Sequence, residues 1–242
     1  MTAAASGPGP NDVHVHVAEA APFAADQARV ARALAWLSPD ERERAARFRH
    51  EADRAMFLLG RAMARTLVGR ALGVHPSDWT WRDGPHGRPE VAAPATDLRF
   101  NLSHSAGLVL CALADGRDVG VDVEHLDRRA PDRLLVRRYC SPREADDVES
   151  RGDAWLERFL TYWTLKEAYL KARGLGISVA LADLGFELSS GGPIHVVFGP
   201  SLLDAGGQWH FHLWYPSPRH LAAVAVSTPD DLALRITTRS FA

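Results

Sequence analysis

Two short segments of this chain repeat one design 103 residues apart. Ser38-Pro39-Asp40-Glu41 and Ser141-Pro142-Arg143-Glu144 each read as a helix start: a serine cap, proline at the first helical position and glutamate at the third. Leu72-Gly73-Val74 and Leu175-Gly176-Ile177 are separated by the same 103 residues, and each closes a long helical stretch. Those stretches run from about Ala52 to Leu72 and from about Ala154 to Ala172. A β-branched strand precedes each unit, near Val13–Val17 and Val119–Val123. β-like runs follow each long helix: 98–102 and 107–114 in the first half, then 185–188, 194–198, 210–215 and 221–227 in the second. An offset held across two landmarks indicates a duplicated unit of roughly 100 residues. Strands grouped apart from helices favour an α+β fold. The expected architecture is a pseudo-dimer of two similar α+β subdomains, 13–117 and 118–242, after a disordered lead-in at 1–12, with a ligand cleft between the halves.

The bulk numbers narrow the function class. The 242 residues suffice for a sizeable core, and a formal net charge of −2 supplies no basic field for nucleic acid. Cys111 and Cys140 have no metal-type spacing, and no apolar run approaches a membrane span. A cytoplasmic protein with no membrane partner is expected.

The chemistry concentrates in the second half. Asp122 and Glu124 sit two apart in Val119-Gly120-Val121-Asp122-Val123-Glu124, so both carboxylates leave one face of a strand. Glu167 and Lys171 sit four apart in Trp163-Thr164-Leu165-Lys166-Glu167-Ala168-Tyr169-Leu170-Lys171 and share one helix face. Three carboxylates and a lysine with a route to one place suit a hard cation with coordination positions left for a phosphate. The positions 103 earlier than Glu167 and Lys171 are Ala64 and Val68, so only the second copy carries this set. Histidines alternating along strands (His14 and His16, His210 and His212) read as polar strand faces, and Phe159, Tyr162, Trp155 and Trp163 as core packing of the long helix.

These two segments, together with Gly87-Arg88-Pro89 and Phe100-Asn101-Leu102-Ser103-His104-Ser105, resemble the Sfp-type 4′-phosphopantetheinyl transferases in order and spacing, over about Ser38–Gly176. The resemblance implies coenzyme A as donor, Mg2+ as cofactor, a serine of an acyl or peptidyl carrier protein as acceptor, and adenosine 3′,5′-bisphosphate as leaving group. The carriers would belong to polyketide, nonribosomal peptide or fatty-acid synthases. It puts Asp122, Glu124 and Glu167 on the metal and Lys171 on the pyrophosphate. Ser103 and His104 match the pair that holds the 3′-phosphate of coenzyme A. Arg44 and Arg47 fall in the stretch where relatives bind the nucleotide phosphate, and Arg88 replaces a lysine common in the family. Met56 and Phe57 depart from the Arg or Thr of many relatives. Glu144 is the family's candidate base for the serine proton, but its capping-box position gives it an alternative backbone role; Glu167 is the other carboxylate available. A single chain already holding two units is expected to be a monomer. Two other readings use the same residues: a Mg2+-dependent phosphohydrolase, and a non-catalytic coenzyme A-binding regulator.

Overall fold

The structure, a computed structural model, describes residues 7–84, 86–176, 180–189, 191–202, 208–229 and 233–241. Contacts divide the chain into two units: Met1–Gly84 with Pro89–Arg117 and Ala233–Ala242, and Pro85–Arg88 with Asp118–Leu232.

In the first unit, β1 (Asp12–Glu19) leads through α1 (Ala20–Ala25) and α2 (Gln27–Trp36) to α3 (Pro39–Ala46) and the long α4 (Glu51–Leu72). Then come β2 (Thr80–Asp83), β3 (Pro89–Ala93), β4 (Leu98–Ser105) and β5 (Leu108–Asp115). In the second, β6 (Val119–His125) precedes α5 (Leu134–Tyr139), α6 (Pro142–Glu149) and the long α7 (Trp155–Arg173). β7 (Leu184–Leu188), β8 (Ile194–Phe198), β9 (Gln208–Ser217) and β10 (His220–Thr228) follow.

The repeat is topological. β1 pairs antiparallel with β5, which pairs with β4; β6 pairs antiparallel with β10, which pairs with β9. Each unit adds a separate two-stranded hairpin, β2–β3 or β7–β8. Both capping boxes form in full: Ser38 and Ser141 accept from the backbone N–H of Glu41 and Glu144, whose carboxylates accept in return from the serine N–H. Gly73 and Gly174, at φ 70° and 63°, end α4 and α7 in the left-handed conformation that glycine adopts at low cost. Leu58, Leu59 and Met63 on α4, and Leu160, Leu165 and Tyr169 on α7, are almost fully buried against their own unit's core.

Three sequence expectations need correction. The final strand, β11 (Arg235–Ser240), does not belong with residues 118–242; it pairs in parallel with β1, and Arg235 reaches Asp12 at 2.7 Å. Sequence pattern cannot assign so distant a partner. The disordered lead-in expected at 1–12 does not hold where it is described: Pro8 is buried, Pro10 accepts from Arg117 and Asp12 opens β1, while residues 1–6 lie outside the described residues. α1, α2 and α5 were not anticipated; α1 and α2 arise from an alanine-rich stretch in which Asp26 caps α2.

Candidate active site

The second unit's site starts from a glycine. A Cβ at Gly120 would overlap the Ala168 carbonyl and the Ala172 nitrogen of α7, so the helix lies directly on β6 at that point. With a period of two along a strand, Asp122 and Glu124 leave the face of β6 that Gly120 presents to α7. Trp163, Glu167 and Lys171 recur every four residues and form the helix face that meets them.

The contacts run in register. Lys171 Nζ lies 2.6 Å from Asp122 Oδ1, and Asp122 is 5% exposed. Trp163 hydrogen-bonds the Glu124 carboxylate, and Arg128 donates to it at 2.8 Å. Burial, and then repulsion from Asp122, raise the pKa of Glu124, with Arg128 and Trp163 opposing. Burial likewise raises that of Glu167, where Lys171 opposes and Asp122 and Glu124 add repulsion. Glu167 Oε1 is buried and makes no hydrogen bond. An all-oxygen donor set with surplus negative charge and a buried, unsatisfied carboxylate oxygen fits a hard divalent cation. Among the described residues, no three Asp, Glu, His or Cys side chains stand as a ready-made metal cage. Trp163, expected only to pack the core, is a site residue; its four-residue spacing from Glu167 was the available signal.

Glu144 lies elsewhere and is bonded on both carboxylate oxygens. At 1% exposure, its Oε2 accepts from Ser141 N–H at 2.7 Å and pairs with Lys166 Nζ at 2.7 Å, while Oε1 accepts from Phe186 N–H at 2.8 Å. A proton acceptor needs access and a free lone pair. In this arrangement burial and three bonds give Glu144 a structural role.

The remaining expected residues have definite places. Arg88 donates to Asp118 at 2.9 Å and to the Ala172 carbonyl at 2.6 Å, tying down the last turn of α7. In the first unit, β4 carries buried Ser103 and exposed His104. On α3, the Arg44 guanidinium lies 5.4 Å from the centroid of the Phe57 ring. Arg47, at the end of α3, pairs with Glu43 on the surface. Arg61 on α4 stacks 3.9 Å from the Trp81 ring centroid; burial lowers its pKa to about 10.

Family models match both units. Residues 118–227 match the 4′-phosphopantetheinyl transferase superfamily, and residues 23–115 match a 4′-phosphopantetheinyl transferase N-terminal family. The 4′-phosphopantetheinyl transferase HetI of Nostoc sp. is 36% identical over 196 residues, spanning 80% of this chain and 79% of that one. A phosphopantetheinyl transferase of Thraustochytrium sp. is 34% identical over 253 residues, spanning 96% and 86%. The 4′-phosphopantetheinyl transferase Sfp of Bacillus subtilis is 28% identical over 201 residues, spanning 82% and 86%.

Proposed function

Because this chain belongs to the 4′-phosphopantetheinyl transferase superfamily and is an enzyme of that class, moving phosphopantetheine from coenzyme A to a carrier protein, we propose that the carboxylate face between β6 and α7 is where the diphosphate of coenzyme A is cleaved. The observation that carries this reading is Glu167 Oε1, buried and unsatisfied beside Asp122, Glu124 and Lys171.

Asp122, Glu124 and Glu167 would hold Mg2+, which when bound supplies positive charge to the diphosphate oxygens. Lys171 adds a second cation at the same face, where negative charge accumulates as the leaving group departs. Arg128 and Trp163 hold Glu124 in place. The acceptor serine gives its hydroxyl proton to the Glu167 carboxylate as its Oγ forms a bond to the phosphorus next to pantetheine, and the bond from that phosphorus to the bridging oxygen breaks. Adenosine 3′,5′-bisphosphate leaves with the electron pair. Ser103, His104, Arg44 and Arg47 take the nucleotide phosphates in this reading. The acceptors are acyl or peptidyl carrier domains of polyketide, nonribosomal peptide or fatty-acid synthases, and the chain works as a cytoplasmic monomer. No helix among the described residues is long and apolar enough to cross a membrane.

Mass spectrometry of an apo carrier protein incubated with coenzyme A and Mg2+ tests the assignment. The carrier gains one phosphopantetheine with the natural enzyme and none with Asp122→Ala, whose unfolding midpoint stays close to that of the natural chain. Full transfer by folded Asp122→Ala refutes the site. Comparing coenzyme A with dephospho-coenzyme A tests recognition of the 3′-phosphate, which a general phosphohydrolase does not need.

A further inference from the structure

Lys166 neighbours Glu167 in sequence but leaves α7 about 100° around the helix from it. Its ammonium is 1% exposed and has three partners: the Leu181 carbonyl at 2.8 Å, the Leu184 carbonyl, and Glu144 Oε2 at 2.7 Å. Three donors meet three acceptors, so the buried charge is fully satisfied. Glu144 is equally committed, bridging the start of α6, the start of β7 and α7.

The first unit carries the same device. Glu41, the third residue of its capping box, meets Arg65 of α4 at 3.1 Å, and Arg65 also donates to the Trp79 carbonyl at 2.7 Å. In both units a capping-box glutamate, a cation on the long helix and a backbone carbonyl beyond that helix form one buried link. Only in the second does a site carboxylate adjoin the cation.

We propose that Glu144 and Lys166 form a charged latch that fixes the rotation of α7 and so positions Glu167 against Asp122 and Glu124. Glu144 is a positioning residue, acting through Lys166. The inference rests on Glu167 serving the transfer site.

Three variants, Glu144→Gln, Lys166→Met and the double variant, separate this latch from a base. Calorimetric titration with Mg2+ alone, well below the unfolding midpoint, is paired with transfer kinetics. Each single variant leaves one buried charge unpaired. Each should weaken Mg2+ binding and lower kcat, both at least tenfold, with KM for the carrier unchanged. The double variant removes both charges and should recover at least tenfold in kcat over Glu144→Gln. Natural Mg2+ affinity in Glu144→Gln, with kcat lost there and in the double variant alike, identifies Glu144 as a direct participant and overturns the latch. Unchanged affinity and kcat in both single variants overturn it too. If Glu144→Gln does not fold, Lys166→Met and the double variant carry the same comparison. Glu167→Gln, run alongside, shows which claim fails. Natural Mg2+ affinity there sinks the site reading and the latch with it; loss there without change in Glu144→Gln sinks the latch alone.

Discussion

Replacing Gly120 by alanine tests the geometry on which the site depends. The added methyl meets backbone of α7, with Ala172 Cα at 3.0 Å and the Ala168 carbonyl closer still. Backbone cannot rotate aside as a side-chain tip can, so the helix must move off the strand. Overpacking of this kind costs about 1–3 kcal/mol, and a clash with main chain belongs at the upper end, about 3 kcal/mol. For a protein of this size each kcal/mol lowers the unfolding midpoint by about 2–4 °C, so calorimetry should show a fall of about 6–12 °C. Transfer should suffer separately, because a helix displaced by about 1 Å misplaces Glu167 and Lys171 relative to Asp122 and Glu124 and can cost about 100-fold in rate. Gly73→Ala is the control. Gly73 has φ 70° and nothing within 4 Å of an added Cβ, so the change strains backbone by about 1–2 kcal/mol while leaving the β6–α7 contact untouched. A midpoint drop of less than about 2 °C for Gly120→Ala, with transfer retained, refutes the argument.

Other perturbations give distinct readouts. Arg65→Met removes one of two cations from Glu41, Arg61 remaining at 3.3 Å, and should destabilise by about 1.5–3 kcal/mol in denaturant unfolding through lost charged hydrogen bonds; a cost below about 0.5 kcal/mol contradicts the buried pairing. His16 is held at about 4 against its ordinary 6.5, chiefly by burial and then by His14, Arg239 and Arg70. The folded state therefore rejects a proton that the unfolded chain accepts. Its contribution is complete above pH 6.5 and declines as pH falls toward 4, so His16→Leu should flatten the midpoint-versus-pH curve in that window, and an unchanged slope counts against it. Arg88→Met should lower stability by about 1.5–3 kcal/mol through loss of its charged hydrogen bonds at the end of α7; a rise in KM for coenzyme A with stability unchanged points instead to direct ligand contact.

Much of this arrangement was legible in the residues. Capping boxes, the end of α4 and the valine-rich strands are local signals that survive into the fold, while α7 ends at Gly174, two residues before the Gly176 that the repeat pointed to. Asp122, Glu124, Glu167 and Lys171 were legible because strand and helix periods put each pair on one face. Gly120 was legible only as a letter; its purpose appears when α7 is seen lying on it. Glu144 shows the limit. One sequence position satisfies both a capping box and a base, and its burial with three bonded partners becomes visible only in the fold. Trp163 and Arg128 on Glu124 were hidden for a related reason, since a tryptophan on a helix usually packs and an arginine in a loop usually faces solvent. The place of β11 was beyond reach, because strand pairing across more than 200 residues leaves no periodic trace.

That last strand has a consequence for how the chain is made. Residues 235–240 leave the ribosome after the whole of 118–232, yet they hydrogen-bond along β1, one of the earliest segments synthesised. During translation β1 must wait with one edge unpaired until residues 235–240 have emerged. A stop codon or frameshift near position 234 would therefore uncover an edge of the first unit's sheet while leaving residues 118–232 intact.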